Sequence, residues 1–209
     1  CTGSEPRLSR GDTGNFIALV SNCLLSGSST PVTSEIWRYS ISGTSWRRIT
    51  TATNASTSNF SPTIDAATST NAGRYIYFIS DGNYFNVTGG TSPEIYRYDA
   101  SGTGTLKQVT ISQAGNGYVG VRQAADGGGQ YFAYEYINGS SGQFEVGTGS
   151  YNGTSLTLKL GASMNLSLGV DVGFDSSNVP SVIFLSNSDL MSPSQNADGN
   201  TEVYRARTP

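Results

Sequence analysis

One apolar block recurs four times along this chain, and that recurrence limits the fold more than any other feature. FIALVS (16–21), YIYFIS (75–80), YFAYEY (131–136) and SVIFLS (181–186) begin 59, 56 and 50 residues apart. Each is rich in β-branched and aromatic residues and bounded by Gly, Asn, Asp or Pro, which is how a short strand buried on both faces reads. Self-similarity at this period means stacked copies of one supersecondary unit.

The rest of the unit follows from what surrounds each block. After three blocks come SEIWRYS (34–40), PEIYRYD (93–99) and TEVYRAR (201–207). Their alternation puts Ile36, Ile95 and Val203 on one face with Arg38, Arg97 and Arg205, and Trp37, Tyr96 and Tyr204 on the other with Tyr39, Tyr98 and Ala206. GQFEVGTGS (142–150) is the divergent counterpart in the third unit. SWRRITT (45–51), LKQVTIS (106–112) and LTLKLGA (156–162) then follow Gly-containing turns, as the second arm of a hairpin does. A shorter strand precedes each block: PRLSRGDTG (6–14), PTIDAATSTNAG (62–73), GVRQAADGG (120–128) and VDVGFDSSN (170–178). Four antiparallel strands in about 50–60 residues is the size of a propeller blade. The expectation is an all-β, single-domain β-propeller over 1–209, with blades near 6–52, 61–112, 118–162 and 168–207. The last blade is incomplete, because no outer strand follows TEVYRAR.

These repeats resemble the TolB-like, WD-repeat-like propeller repeats of exported bacterial proteins. The match is clearest in VIFLSNSDLMSPSQNADGNTEVYRA (182–206), which resembles that family's apolar strand, S-x-x-D-L loop and N-x-D-G-N-x-E turn. SEIWRYSISGTSW (34–46) is more weakly similar to the Tyr-to-Trp hairpin of kelch repeats, whose Gly-Gly doublet is absent. The resemblance implies an exported propeller, commonly of six or more blades. Three complete units and a partial fourth leave three arrangements open: a compact four-bladed ring, a piece of a larger propeller, or a subunit whose edge another chain completes.

Charge and composition exclude several activities. Twelve cations against fifteen anions leave no basic stripe for phosphates, so nucleic acid is not expected as a partner. There is no histidine, which removes His-based triads, general bases and metal sites. No apolar run approaches the roughly 20 residues of a transmembrane helix, and no G-x-S-x-G elbow occurs. Ser, Thr, Asn and Gly fill 94 of 209 positions, so neutral polar groups carry solubility. The two cysteines, Cys1 and Cys23, suit an exported protein, either as a disulfide or with Cys1 as the lipidated first residue of a lipoprotein.

The remaining candidates are side chains with chemistry. Asn196, Asp198, Asn200 and Glu202 alternate around Gly199 like the start of a calcium loop, although Asp198-Gly199 also makes an ordinary turn. Calcium is thus the one cofactor the sequence suggests. Asp65, Asp171 and Asp175 fall on or near inner strands, where a glycosidase could place a carboxylate pair. Asp12, Asp126 and Asp175 occupy turn positions. Arg38, Arg97 and Arg205 recur at one repeat position, where they either stack on neighbouring aromatics or pair with Glu35, Glu94 and Glu202 on adjacent blades. Asn-x-Ser/Thr triplets begin at Asn54, Asn59, Asn86, Asn138, Asn152 and Asn165. The strand after Asn200 is an expected partner edge, through Thr201, Val203, Tyr204 and Arg205. These features point to a non-catalytic, exported or cell-surface propeller that binds a protein or glycan. The alternatives are a propeller hydrolase using channel carboxylates and a subunit of a surface filament or sheath.

Overall fold

The computed structural model describes residues 1–209 apart from 12–13, 28, 32, 65–72, 86–91, 125–128, 166, 168, 175–178, 191–199 and 208–209. Described residues form strands and turns without a helix. The first sheet is β1 (Gly3–Gly11), β2 (Gly14–Ser21), β3 (Glu35–Ser40) and β4 (Ser45–Arg48), and the second is β5 (Asn59–Ile64), β6 (Tyr75–Ser80), β7 (Glu94–Asp99) and β8 (Thr105–Gln108). The third is β9 (Gly117–Gln123), β10 (Tyr131–Asn138), β11 (Gln143–Tyr151) and β12 (Leu156–Met164). The fourth has three strands among the described residues, β13 (Val170–Phe174), β14 (Pro180–Ser186) and β15 (Glu202–Arg207). Every sheet runs in sequence order with antiparallel neighbours. The first strands β1, β5, β9 and β13 are successive neighbours in space, which makes them the inner strands of a four-bladed β-propeller.

The four apolar blocks are the second strands of their blades, as the spacing predicts. Their sidedness differs along the chain. All of β6 from Ile76 to Ser80 is buried, because blades pack on both its faces. In β14, Val182 and Phe184 are buried against the third blade, while Leu185 on the opposite face is exposed. Three apolar clusters account for this. Ala18, Val20 and Ile36 meet Ile76, Phe78 and Tyr96 between blades 1 and 2. Tyr77, Ile79 and Ile95 meet Val121, Phe132 and Tyr134 between blades 2 and 3. Ala133 and Val146 meet Val182, Phe184 and Tyr204 between blades 3 and 4. Among the described residues, no such cluster joins blade 4 to blade 1. A buried face thus forms wherever a sequential neighbour covers it, and burial of each such side chain supplies roughly 1.5–3 kcal/mol.

Local chemistry explains why the blocks end in serine. The Oγ atoms of Ser21, Ser80 and Ser186 accept from the backbone N–H two residues on, at 3.0, 2.9 and 3.0 Å, turning the chain out of the strand. The aromatic of the third strand closes the same turn. Trp37 Nε1, Tyr96 Oη and Tyr204 Oη donate to the carbonyls of Ser21, Gly82 and Ser188 at 3.0, 2.6 and 2.8 Å. Blades 1, 2 and 4 are therefore built on one plan.

Glycine and arginine join consecutive blades. Gly73 and Gly129 have φ of 69° and 61°, and a Cβ on either would lie 2.1 Å from the ring of Phe16 or Tyr75 respectively. Over those rings lie Arg38, 3.7 Å from the Phe16 centroid, and Arg97, 4.8 Å from that of Tyr75. Arg38 Nε donates to the Gly73 carbonyl at 2.9 Å, and Arg97 to that of Tyr151 at 3.1 Å. Stacking is thus the outcome at both positions. The expected pairing with Glu35 and Glu94 does not occur, because those carboxylates turn to the outer strand of their own blade.

At the N-terminus, Cys1 and Cys23 form a disulfide that ties the start of β1 to the chain leaving β2. A lipid thioether would need the same Cys1 sulfur. In blade 2, Arg74 grips Asp99 in a two-point ion pair at 2.8 and 2.9 Å. That hydrogen bonding, helped by the Ser101 N–H, holds the Asp99 carboxyl well below the usual carboxylate range against the opposing effect of burial. A depressed folded-state pKa stabilises above the unfolded value and is lost as pH falls through the folded one. The stability difference between the parent and Asp99→Asn, measured by urea unfolding, should therefore be constant above about pH 5 and shrink as pH falls below about 4. A difference that grows on acidification would contradict the pairing.

Candidate partner-binding edge

The third strand of a blade is prepared to receive a fourth, and blades 1 and 2 show how. Glu35 is fully buried at the start of β3. Its carboxylate accepts from Arg48 Nη2 at 2.9 Å, from the Ala52 N–H at 2.8 Å and from the Thr50 hydroxyl in a short contact. Thr50 Oγ1 in turn accepts from the Ile36 N–H at 2.9 Å. Blade 2 repeats the device. Glu94 accepts from Thr110 Oγ1 and the Ser112 N–H, both at 2.6 Å, and from the Ser112 hydroxyl, while Thr110 Oγ1 accepts from the Ile95 N–H at 2.9 Å. One carboxylate and one threonine thereby satisfy the groups exposed where the outer strand ends. Blade 3 has replaced the device: Glu145, at the corresponding place, accepts from Asn138 Nδ2 at 3.1 Å.

Blade 4 keeps the carboxylate. Glu202 pairs with Ser186 across β14, as Glu35 does with Ser21 and Glu94 with Ser80. Val203 accordingly stands where Ile36 and Ile95 stand, with its N–H on the outer side of the blade. Glu202 is exposed there, and Val203 is 71% exposed. Among the described residues, β15 has β14 on one side and no strand on the other. Of the expected edge residues, Thr201 and Arg205 are exposed, and Arg205 Nε donates to Ser181 Oγ of its own blade at 2.8 Å. Tyr204 faces blade 3 and is buried. Its side chain is therefore core, and only its backbone belongs to the edge.

Asn196 and Asp198 lie outside the described residues, as do Asp12, Asp65, Asp126, Asp175 and Asn86; Asn200 is exposed. Among the described residues, no group of three or more His, Cys, Asp or Glu side chains is placed to hold a metal. Asp171 is exposed on β13. It is one of several charges around Arg122 of β9, with Glu5, Arg7 and Glu135. Burial pushes the Arg122 guanidinium below its ordinary value, Arg7 adds to this, and the three carboxylates oppose it. Beside this cluster, bulges in β1 and β5 place Glu5 and Ser61 at φ of 53° and 52°, and the Glu5 carboxylate accepts from the Ser61 N–H at 2.5 Å.

Sequence reasoning missed two features. The threonine partners of the buried glutamates were visible as a Thr 15 residues after Glu35 and 16 residues after Glu94 in the repeated E-(I/V)-(W/Y)-R motif. The second is a cleft of about 500 Å³ where the loops of blades 1 and 2 meet, lined by Asn54, Ser56, Thr57, Asp81, Asn83 and Tyr84 among others. Loops far apart in sequence form it. Four of the six Asn-x-Ser/Thr asparagines have structural tasks: Asn59 is buried and donates to the Ser34 carbonyl at 2.8 Å, and Asn54, Asn138 and Asn152 accept from N–H groups two residues on.

No protein-family model and no curated protein matches the chain. Solved structures do match. A Trypanosoma rangeli sialidase, in complex with 2,3-difluorosialic acid as a covalent intermediate, aligns with 98% of this chain and 35% of its own at 11% identity and a TM-score of 0.50. An oligogalacturonate lyase in complex with manganese aligns with 97% of this chain and 64% of its own, at 10% identity and 0.49. The β-propeller domain of the Trilobed protease from Pyrococcus furiosus aligns with 98% of this chain and 68% of its own, at 12% identity and 0.39. The chain spans under two thirds of the sialidase and of the lyase. Likeness at such identities concerns the fold alone.

Proposed function

We propose that this chain is a non-catalytic propeller module of the exported, TolB-like and WD-repeat-like kind, and that it recruits a protein partner to the open side of blade 4. The observation that carries this reading is β15, which among the described residues has no strand on its outer side and whose Val203 and Glu202 lie exposed where blades 1 and 2 hold a further strand. An open ladder of N–H and C=O groups pairs with extended polypeptide unless it is blocked. Val203 adds an apolar contact at the centre of that edge. Oxidised Cys1 and Cys23 and the scarcity of lysine support export. The reading needs no cofactor. A calcium ion in the 196–202 loop would compete with a partner for Glu202.

The test is selection of random displayed decapeptides on the intact protein. Binders should be lost on Val203→Pro, which removes one outward N–H without touching the β14 ladder. Binders indifferent to Val203→Pro would overturn the edge reading. Turnover of a glycoside or oligogalacturonide by the pure protein would overturn its non-catalytic part.

A further inference from the structure

We infer that the cleft between the loops of blades 1 and 2 binds a neutral sugar, held by Asp81, Asn54 and the hydroxyls around them against the ring of Tyr84. This goes beyond the partner edge and does not rest on it, since the walls belong to two internal connections, 51–57 between β4 and β5 and 81–84 after β6. At about 500 Å³ the cleft falls within the roughly 300–1,000 Å³ of small-molecule sites.

The walls are fixed before a ligand arrives. The Ala52 N–H is tied to buried Glu35 at 2.8 Å, and the Thr33 hydroxyl donates to the Thr57 carbonyl at 2.8 Å. Asp81 Oδ1 accepts from the Ser58 N–H at 2.7 Å, and the Asp81 N–H donates to the Ser58 carbonyl at 3.3 Å, so the two connections are strapped together. Tyr84 Oη donates to Asn59 Oδ1 at 2.6 Å, and its ring meets that of Tyr96 edge-on with centroids 5.4 Å apart. A Cβ on Gly82 would lie 2.8 Å from Thr57 Cγ2 and 2.9 Å from Tyr84 Cζ, so a larger residue there would push the walls apart. Walls held in this way lose little freedom on binding.

The groups left over set the class of ligand. Asp81 and Asn54 each use Oδ1 on a backbone N–H, Asn54 on that of Ser56 at 3.0 Å, which leaves Asp81 Oδ2 as an acceptor and Asn54 Nδ2 as a donor without a partner among the described residues. Thr51, Thr53 and Ser56 add exposed hydroxyls, each able to donate and accept. A ligand that satisfies this set must itself donate and accept at several points and offer an apolar face to the tyrosine, as a sugar ring does. Charged ligands fit it less well. Among the described lining residues there is no Lys or Arg, so an anion would meet the Asp81 carboxylate without compensation, and a cation would leave the Asn54 amide facing like charge. Asp81 is also the one carboxylate among them, whereas glycoside hydrolysis uses two, so the site binds a sugar without cleaving it.

The probes are four neutral trisaccharides, maltotriose, cellotriose, mannotriose and triacetylchitotriose, each titrated into the intact protein while the Ser56 and Gly82 amide signals are followed by NMR. At least one should bind saturably with a dissociation constant of about 1 mM or tighter. Trigalacturonate and putrescine, an acidic sugar and a diamine, should bind at least about tenfold more weakly than it does. Asp81→Asn and Asn54→Asp each keep the Oδ1 that holds the backbone and exchange only the atom left for a ligand. Each should weaken the neutral sugar about tenfold at an unchanged Tm. The inference is overturned by no saturable binding of a neutral trisaccharide up to about 50 mM, by binding that either exchange leaves unchanged, or by trigalacturonate or putrescine proving the better ligand of the parent protein. The parent titrations decide the ligand class whether or not the variants fold.

Discussion

Glu35→Ala should lower stability by about 3–5 kcal/mol, while Glu202→Ala, at the equivalent place in blade 4, should change it by less than about 0.5 kcal/mol. The contrast follows from what each carboxylate holds. Glu35 is fully buried, and its loss leaves the Arg48 guanidinium, 14% exposed, without its counter-charge. The Ala52 N–H and the Thr50 hydroxyl lose their acceptor in the same step. Unpaired donors and a stranded cation cost more than the bonds contributed, because water cannot reach them. Glu202 holds no buried group in this way and is solvated. Urea unfolding of the two variants beside the parent measures both numbers. Equal losses would mean that Glu202 is already covered and that the blade 4 edge is closed.

The second large effect is expected at the joint between blades 2 and 3. Arg97→Ala should cost about 3 kcal/mol, since it removes a charged hydrogen bond to the Tyr151 carbonyl and stacking on two rings. For a chain of this length that is a fall of roughly 6–12 °C in Tm. Arg97→Lys should recover less than half. An ammonium keeps the charge but cannot lie flat between Tyr75 and Tyr151 while donating sideways. Full recovery by lysine in a thermal melt would show that charge alone matters at this joint.

Much of the fold was legible because each blade repeats a few short signals. The four apolar blocks, the Ser that ends three of them and the E-(I/V)-(W/Y)-R strand all mark single elements, and the period gave the blade count. Arg38 and Arg97 were recognisable as structural because they recur. What they touch was not, since Phe16, Gly73 and Tyr151 come from strands and turns distant in sequence. The same limit hid the tasks of Glu35 and Glu94. A carboxylate in a strand pattern reads as a surface charge until the outer strand's threonine folds back over it. The cleft around Asn54 and Tyr84 left no linear trace, because loops carry no periodicity. The third strand of blade 4 was legible from its E-V-Y-R motif, but the burial of Tyr204 against blade 3 was not, because its neighbours Ala133 and Val146 lie far away in sequence.

Ile36, Ile95 and Val203 occupy one repeat position, so their amide exchange rates, measured in a single sample, compare two filled edges with the one assigned here as open. The Ile36 and Ile95 N–H groups are bonded to buried threonine oxygens and should exchange slowly, near the rate set by global unfolding. Val203 should exchange faster by several orders of magnitude when the protein is dilute and monomeric. Protection of Val203 equal to that of Ile36 and Ile95 under those conditions would contradict an open blade 4, and with it the assignment of β15 as the surface that takes a partner.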